Sequence, residues 1–195
     1  MNILCIAGFL GSGKTTVLLE VARAMAEDGT RLAVIENEIG EVGIDGGYVR
    51  EQGLPVRELF GGCICCTLQS GLVETLLAVE SEYDPEWVII EPTGLAAPGD
   101  ILGVVVDHCR SVDVIRVLTL VDAPRWPMLL EIVEPLVTAQ LQTADVVAVN
   151  KIDDVDEAAL AAVMRSVRSL AGKAPVLPVS AGTGAGMKRL LGAVT

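Results

Sequence analysis

Short apolar runs alternate along the chain with longer segments in which apolar residues recur at helical spacing. The apolar runs predict strands at 3–7, 31–36, 55–59, 87–91, 113–121, 145–149 and 175–179. The helical spacing predicts helices at 14–27, 66–81, about 125–143, 154–171 and 184–193. Continuous apolar strands separated by helices indicate an α/β fold with a mostly parallel sheet, covered by helices on both faces.

The helix predicted over 154–171 has the clearest apolar face, formed by Leu160, Val163, Met164, Val167 and Leu170. Gly172 follows its last turn, where glycine commonly ends a helix. The start of this predicted helix, Asp154-Val-Asp-Glu157, resembles a capping box with Asp154 in the place of Ser.

One long segment, 37–54, fits neither pattern and contains glycines at 40, 43, 46, 47 and 53. Irregular loops of this length in compact domains are often functional. We therefore expect a mobile loop with a role in the site.

Composition excludes several classes of partner and location. The 195 residues include 14 Lys or Arg and 26 Asp or Glu, a net charge of −12, which disfavours nucleic acid and anionic membranes. No apolar run approaches the roughly 18 residues needed to cross a bilayer. The apolar N-terminus is expected to be a core strand, not a signal peptide, and five cysteines, an odd number, suit a reducing cytoplasm.

Residues 8–15, Gly-Phe-Leu-Gly-Ser-Gly-Lys-Thr, match the phosphate-binding pattern G-x-x-x-x-G-K-[ST] and are called the phosphate loop below. The loop lies between a predicted strand and a predicted helix, as a P-loop NTPase requires. Its glycines allow backbone N–H groups to approach phosphate oxygens. Lys14 would contact the β- and γ-phosphates, and the Thr15 hydroxyl would bind Mg²⁺. The predicted nucleotide contacts of the loop are Gly11, Ser12, Gly13, Lys14, Thr15 and Thr16.

A second motif, Asn150-Lys151-Ile152-Asp153, follows the apolar run 146–149. The Asp153 carboxylate can accept hydrogen bonds from the ring N–H and the exocyclic amine of guanine, a pair that adenine does not offer. Lys151 can lie along the base, and Asn150 can tie this segment to the phosphate loop. On its own the motif could be a solvated strand end, but downstream of a phosphate loop it predicts a guanine nucleotide.

Two weaker patterns fit the same site. Ser180 and Ala181 follow the last predicted strand, where a backbone N–H could meet the guanine carbonyl. Glu91 ends another apolar strand, where a carboxylate can bind Mg²⁺ directly or through water, and Gly94 can offer its N–H to the γ-phosphate. Glu36 also ends a strand and is a further candidate for Mg²⁺ or a transition metal; a solvated acidic turn is the alternative for Glu38 and Glu41.

Three thiols, Cys63, Cys65 and Cys66, occur within four residues after two glycines. Thiolates are soft ligands that suit Zn²⁺ and other late transition metals. The remaining candidates to complete a cage are Cys109, His108 and Cys5, the last of which is predicted to lie in a core strand. A bound metal would therefore keep an open or borrowed position, as a transfer site would. The alternative is three buried cysteines with a packing role only.

The motifs GFLGSGKTT, ENEIGEVGIDG, ELFGGCICCTL, EPTGLA and NKID, in that order, resemble the CobW-type branch of the metallochaperone GTPases, relatives of HypB and UreG. The resemblance covers nearly the whole chain, and C-x-C-C is its discriminating element. It implies a Mg²⁺-dependent GTPase that handles Zn²⁺ or Co²⁺ and delivers it to a client metalloprotein or to cobalamin synthesis.

The same resemblance implies a role for each matching residue. Lys14 and Thr15 would hold the phosphates and Mg²⁺, with Glu36 and Glu91 acting around Mg²⁺ and the γ-phosphate. Cys63, Cys65 and Cys66 would take the cargo metal, and the residues that would recognise guanine are Asn150, Lys151 and Asp153. Members of the branch typically carry a C-terminal accessory domain; here we expect one GTPase domain over 1–195.

Two other functions remain open from the residues. The chain could be a nucleotide-switched chaperone of a corrinoid-dependent enzyme that carries no metal, or, more remotely, a small-molecule kinase. No arginine is evidently aimed at the γ-phosphate; Arg50 and Arg57 are the nearest candidates. We therefore expect slow GTP turnover unless a nucleotide-dependent homodimer or a client complex accelerates it.

Overall fold

The computed structural model describes residues 1–36, 56–58, 68–92, 94, 98–109 and 111–195. Within them lies a sheet of seven strands, all paired in parallel, in the order β3-β2-β4-β1-β5-β6-β7. The strands are β1 (Asn2–Gly8), β2 (Leu32–Glu36), β3 (Val56–Glu58), β4 (Trp87–Glu91), β5 (Val114–Asp122), β6 (Val146–Asn150) and β7 (Val176–Pro178). The helices are α1 (Lys14–Glu27), α2 (Leu68–Tyr83), α3 (Pro98–His108), α4 (Trp126–Gln142), α5 (Glu157–Leu170) and α6 (Met187–Val194).

Helices cover both faces of this sheet, which confirms the predicted fold class. Apolar side chains of α1 and α6 pack with Leu4, Ile6 and Leu118 on one face. On the other face, α4 and α5 pack over β5 and β6, and α2 and α3 pack over the β1, β2 and β4 side. The central strand β1 is buried from Ile3 to Ala7, because helices cover it on both faces.

All seven predicted strands and all five predicted helices are present, with ends shifted by three residues at most. The exception to the prediction is α3, which the sequence pattern did not indicate. It begins at Pro98, a residue favoured in the first helical turn, but it also contains Gly99 and Gly103 and a run of valines at 104–106, all weak helix formers.

The capping residue predicted for the helix over 154–171, which is α5 of the structure, was wrong by two residues. Asp154 belongs to a short 3-10 helix, Ile152–Asp154, and the helix is capped by Asp156, whose Oδ1 accepts a 2.7 Å hydrogen bond from Ala159 N. Asp156 has extended backbone, as a capping residue requires, and the carboxylate lies at the positive end of the helix dipole. Gly172 follows the helix with a φ of 61°, as expected.

Parallel pairing brings the carboxyl ends of the strands to one edge of the sheet. Four neighbouring strands, β4, β1, β5 and β6 in spatial order, end there at Glu91, Gly8, Asp122 and Asn150 respectively. Ligand sites of open α/β sheets form at this edge, so the predicted motifs converge where the fold places ligands.

Several predictions fall outside the described residues: the loop over 37–54 and the cysteines Cys63, Cys65 and Cys66. None of the helices described above is long and apolar enough to cross a membrane.

Candidate functional site

The phosphate loop connects β1 to α1 and closes against β6. Gly13, directly before α1, has a φ of 93°, a left-handed conformation that a side chain would strain. A Cβ there would also lie 2.4 Å from Nδ2 of Asn150. The loop can therefore approach Asn150 closely only because this position is glycine.

Lys14 begins α1 and is 7% exposed. Burial lowers the pKa of its ammonium below the ordinary value, while the nearby Glu91 carboxylate works in the opposite direction. A buried cation at the N-terminus of a helix favours an anionic ligand, because both the ammonium and the helix dipole are positive there. This arrangement fits the phosphate contact predicted for Lys14.

Two of the three predicted Mg²⁺ ligands, Thr15 in the first turn of α1 and Glu91 at the end of β4, are in direct contact. Thr15 Oγ1 donates a 3.2 Å hydrogen bond to Glu91 Oε1. In the sheet register Glu36, at the end of β2, pairs with Glu91, at the end of β4. Hydroxyl and carboxylate oxygens are the ligands that Mg²⁺ takes from proteins, so the residues present fit this ion beside bound phosphates.

Gly94 lies against the phosphate loop, as its predicted γ-phosphate role requires. A Cβ at Gly94 would stand 2.6 Å from the backbone nitrogen of Leu10. The Gly94 carbonyl accepts a 3.2 Å hydrogen bond from Nε2 of Gln140, a buried residue of α4 that sequence analysis did not single out. Gln140 thus joins α4 to the segment after β4. The sequence hint of this contact was a polar amide within an otherwise apolar helix face.

Asn150 joins three segments of the site. Its Nδ2 donates a 2.9 Å hydrogen bond to the carbonyl of Ser12, and its Oδ1 accepts one of 3.1 Å from the N–H of Ala181. The side chain is buried, so both bonds are shielded from water. The predicted tie between Asn150 and the phosphate loop is present.

Lys151 adopts a left-handed backbone conformation, with φ 63° and ψ 41°. Such a conformation is uncommon for a residue with a side chain and persists where other contacts hold it. Lys151 Nζ provides two such contacts, a 2.7 Å hydrogen bond to the carbonyl of Gly11 and a 2.8 Å ion pair with Asp122 Oδ2. Its side chain therefore crosses from the end of β6 to the phosphate loop.

Asp153 follows in the 3-10 helix and is exposed at the same edge. Ser180 is buried and its Oγ accepts a hydrogen bond from Thr183 N, which closes the turn after β7. Because the Ala181 N–H already bonds to Asn150, a guanine carbonyl at this turn would share that N–H or take the next one, of Gly182. A Cβ at Gly182 would meet nothing within 4 Å, so the turn is open there.

Asp122 and Arg125 belong to the site, although sequence analysis did not identify them. Asp122 ends β5 with 1% of its side chain exposed, and Arg125 Nε bonds to its Oδ2 at 2.9 Å. Burial raises the pKa of this carboxyl, but hydrogen bonds from Lys151 and Arg125 outweigh burial and hold the pKa below the ordinary value. The sequence hint that Asp122 belongs to the site was its position at the end of a strand, like that of Glu91.

The described cysteines do not form a metal site. Burial raises the pKa of the Cys5 thiol to about 12, and burial followed by the Glu80 charge raises that of Cys109. Metals bind the thiolate form of cysteine, and the raised pKa values disfavour that form at both residues. No group of three or more metal-binding side chains occurs in the part of the chain that the structure describes, which does not include the C-x-C-C motif.

Comparison with known proteins agrees with this geometry. The family model of the CobW/HypB/UreG nucleotide-binding domain matches residues 2–178, which confirms the resemblance inferred from the motifs. The zinc chaperone CobW of Sinorhizobium is 31% identical over 202 residues, covering 88% of this chain and 56% of its own. The zinc chaperone YjiA of Escherichia coli K12 is 36% identical over 126 residues, covering 60% of this chain and 39% of its own. The chain thus spans about half the length of these curated relatives at most.

Among solved structures, the hydrogenase maturation factor HypB of Archaeoglobus fulgidus superposes with a TM-score of 0.70 at 17% identity. The match covers 98% of this chain and 87% of HypB. At this identity the similarity establishes the fold, which is that of a P-loop nucleotide-binding protein.

Proposed function

This chain is a member of the CobW/HypB/UreG family, and from that premise we propose that it is a GTP-hydrolysing metallochaperone. In this proposal it binds GTP with Mg²⁺ at the phosphate loop and carries Zn²⁺ or Co²⁺ on Cys63, Cys65 and Cys66. It acts in the cytoplasm and delivers the metal to a client metalloprotein or to the cobalamin pathway.

One observation carries the nucleotide part of the proposal. Asn150 and Lys151 donate hydrogen bonds to two successive carbonyls of the phosphate loop, those of Ser12 and Gly11. The segment that would recognise the base and the loop that would hold the phosphates are thereby joined by side chains of the protein itself. Preorganisation of this kind favours a ligand that spans both segments, as a nucleotide does.

Guanine specificity rests on Asp153. Its carboxylate would accept hydrogen bonds from the ring N–H and the exocyclic amine of guanine. A polar site built for two such donors rejects a base that lacks them, because the carboxylate is then left without partners. Lys151 supports this role, since its side chain lies between the base-side segment and Gly11.

For hydrolysis, the groups at the phosphate end include Lys14, Thr15, Glu36, Glu91 and Gly94. Thr15 and Glu91, with Glu36, would hold Mg²⁺, which supplies positive charge to the β- and γ-phosphates. Lys14 would neutralise the charge that develops when water attacks the γ-phosphorus and the bridging oxygen departs. The N–H of Gly94 would orient a γ-phosphate oxygen, and the Gln140 bond to the Gly94 carbonyl would hold that peptide in place.

The cargo site is proposed from the sequence motif and the family. Thiolates bind Zn²⁺ and Co²⁺ in preference to Mg²⁺, so the two kinds of metal would occupy different sites. The curated relatives described above are zinc chaperones by name, which favours zinc. Delivery would then require a client that offers more or better ligands than three thiolates.

The first test is a nucleotide panel measured with purified protein and Mg²⁺. We expect GTP and GDP to bind at least about a hundredfold more tightly than ATP and ADP, since two lost charge-assisted hydrogen bonds cost roughly 3 kcal/mol or more. Equal affinity for ATP and GTP would contradict the proposal and favour a kinase-like function.

A zinc titration of the reduced protein separates the two chaperone functions. We expect one equivalent of Zn²⁺ to bind and the triple variant Cys63→Ser, Cys65→Ser, Cys66→Ser to lose it. If the parent protein bound no zinc while still binding GTP, the nucleotide-switched chaperone of a corrinoid enzyme, which carries no metal, would replace the metal carrier as the better proposal.

A further inference from the structure

Two successive carbonyls of the phosphate loop each accept a hydrogen bond from a cationic side chain. Arg125 Nη2 donates to the carbonyl of Leu10 at 2.6 Å, and Lys151 Nζ donates to that of Gly11 at 2.7 Å. Both cations also contact the same oxygen, Oδ2 of Asp122, at 2.9 and 2.8 Å. We call Asp122, Arg125 and Lys151 the loop clamp.

The loop clamp fixes which way the loop peptides face. In a trans peptide the carbonyl oxygen and the following N–H point in opposite directions. With the Leu10 carbonyl held by Arg125, the N–H of Gly11 must point away from the guanidinium. The next peptide is held twice, because Lys151 binds the Gly11 carbonyl and Ser12 N donates to the carbonyl of Phe9 at 3.1 Å.

Asp122 is the common anchor of both cations. Its carboxylate is 1% exposed, and the Arg125 backbone N–H also donates to its Oδ1 at 3.1 Å. The buried carboxylate would lose its solvation without compensation if it had no cationic partner, whereas Arg125 and Lys151 stay 37% and 35% exposed. The end of β5 is thereby coupled to the loop after β1 and to the segment after β6.

We propose that Asp122 and Arg125 are positioning residues that hold the phosphate loop and Lys151 in the nucleotide-binding conformation and so set the rate at which guanine nucleotide dissociates. This inference rests on the proposed guanine-nucleotide binding. It adds two residues, Asp122 and Arg125, that lie outside the four-residue N-K-x-D motif. Neither residue contacts substrate in this proposal, so their removal should raise the dissociation rate and the KM while leaving the single-turnover rate of bound GTP unchanged.

The loop clamp holds the phosphate loop through its carbonyls at residues 10 and 11, and this loop would contact GDP and GTP alike. Its loss should therefore weaken GDP and a non-hydrolysable GTP analogue by the same factor. If Arg125→Ala acted by a general loss of packing, it would instead lower the melting temperature of the nucleotide-free protein. These two readouts separate a positioning role from a structural one.

The experiment measures release of a fluorescent GDP after addition of excess unlabelled GDP. Arg125→Ala should release it about tenfold faster, the change that one charge-assisted hydrogen bond corresponds to. Arg23→Ala is the matched control, because Arg23 makes an ion pair of the same spacing with Glu20 on the exposed side of α1. Asp122→Asn, which keeps the size of the side chain but removes the charge that attracts both cations, should accelerate release of GDP further.

Additivity supplies the remaining evidence. If the residues act together, Arg125→Ala should add little to the effect of Asp122→Asn, since the carboxylate that aims Arg125 is already gone. If Asp122→Asn does not fold, Arg125→Ala alone decides the question. Release from Arg125→Ala at the rate of the parent and of Arg23→Ala would overturn the inference and leave the proposed function standing. Failure of the parent itself to bind GDP would overturn both.

Discussion

Asn150 Nδ2 donates a 2.9 Å hydrogen bond to the carbonyl of Ser12, a residue 138 positions earlier in the chain. The bond joins the end of β6 to the loop after β1, although β5 lies between those two strands in the sheet. The side chain reaches the loop because Gly13, beside Ser12, leaves its space free. The base side and the phosphate side of the proposed nucleotide site therefore form one unit.

A methyl group at Gly13 should break this unit. Gly13→Ala would place a Cβ 2.4 Å from Asn150 Nδ2 in a backbone with φ 93°. We expect loss of measurable GDP binding by calorimetry. Gly29→Ala is the matched control, because Gly29 has a φ of 82° but a Cβ there would meet nothing within 4 Å. The control should lose about 1–2 kcal/mol of stability from backbone strain and keep its GDP affinity. Equal GDP affinity of the two variants would contradict the proposed contact.

Substitution of Asp153 should change which base is bound. Asp153→Asn should weaken GTP about a hundredfold and improve xanthosine triphosphate, whose carbonyl replaces the guanine amine. The matched control is Asp154→Asn, which removes an exposed carboxylate from the same 3-10 helix and should leave both affinities unchanged. Competition against a fluorescent GDP gives the two affinities. If both variants behaved like the parent, Asp153 would not recognise the base.

Thiol reactivity should separate the cysteines into two classes. At pH 8 the Cys5 thiol, whose pKa is about 12, is almost wholly protonated, and burial keeps it from reagent. Cys109 is buried as well, with a raised pKa. With Ellman's reagent we expect at most three fast-reacting thiols of the five, and fewer after one equivalent of Zn²⁺ is added. The triple serine variant at 63, 65 and 66 should have none. Fast reaction of four or five thiols in the folded parent would contradict the burial of Cys5 and Cys109, and reactivity indifferent to zinc would contradict the metal site.

The contribution of Asp122 to the free energy of unfolding should decline only at low pH. Burial raises its pKa, but Lys151 and Arg125 lower it more, so the folded value lies below the unfolded one of about 3.9. A depressed pKa contributes stability that is fully present above the unfolded value and is lost as the pH falls through the folded value. The difference in free energy of unfolding between the parent and Asp122→Asn should therefore be constant from pH 7 to 5 and shrink below about pH 4. Urea titrations at pH 7, 5 and 3.5 give this difference, and a decline already between pH 7 and 5 would show that the pKa is raised.

Local patterns were enough to predict most of the fold. The bounds of α1 and β4 agree with the prediction at both ends, because a helical period and an uninterrupted apolar run are properties of neighbouring residues. The helix α3 was missed because its glycines and valines are weak helix formers and its apolar side is defined by packing on the sheet, with Val104 and Val105 buried.

The site was predicted as far as its motifs are contiguous. Arg125 was not found, because its partner carbonyl at Leu10 lies 115 residues away and no local pattern indicates that contact. The arginines that the sequence offers nearest the γ-phosphate are Arg50, which lies outside the described residues, and Arg57 in β3. Contacts of this kind arise only when parallel pairing brings the strand ends together. Which ends meet depends on the order of the strands in the sheet, and local sequence patterns do not reveal that order.

The most direct test of the central claim is the zinc affinity of the nucleotide-free, GDP-bound and GTP-analogue-bound protein, measured by competition with a chelating dye at fixed pH. If bound GTP is coupled to the metal held by the C-x-C-C motif, zinc should bind the GTP-analogue form about 5–150-fold more tightly than the GDP form. By linkage, zinc must then tighten binding of the analogue by the same factor. Equal zinc affinities in all three states would contradict a GTP-driven metallochaperone.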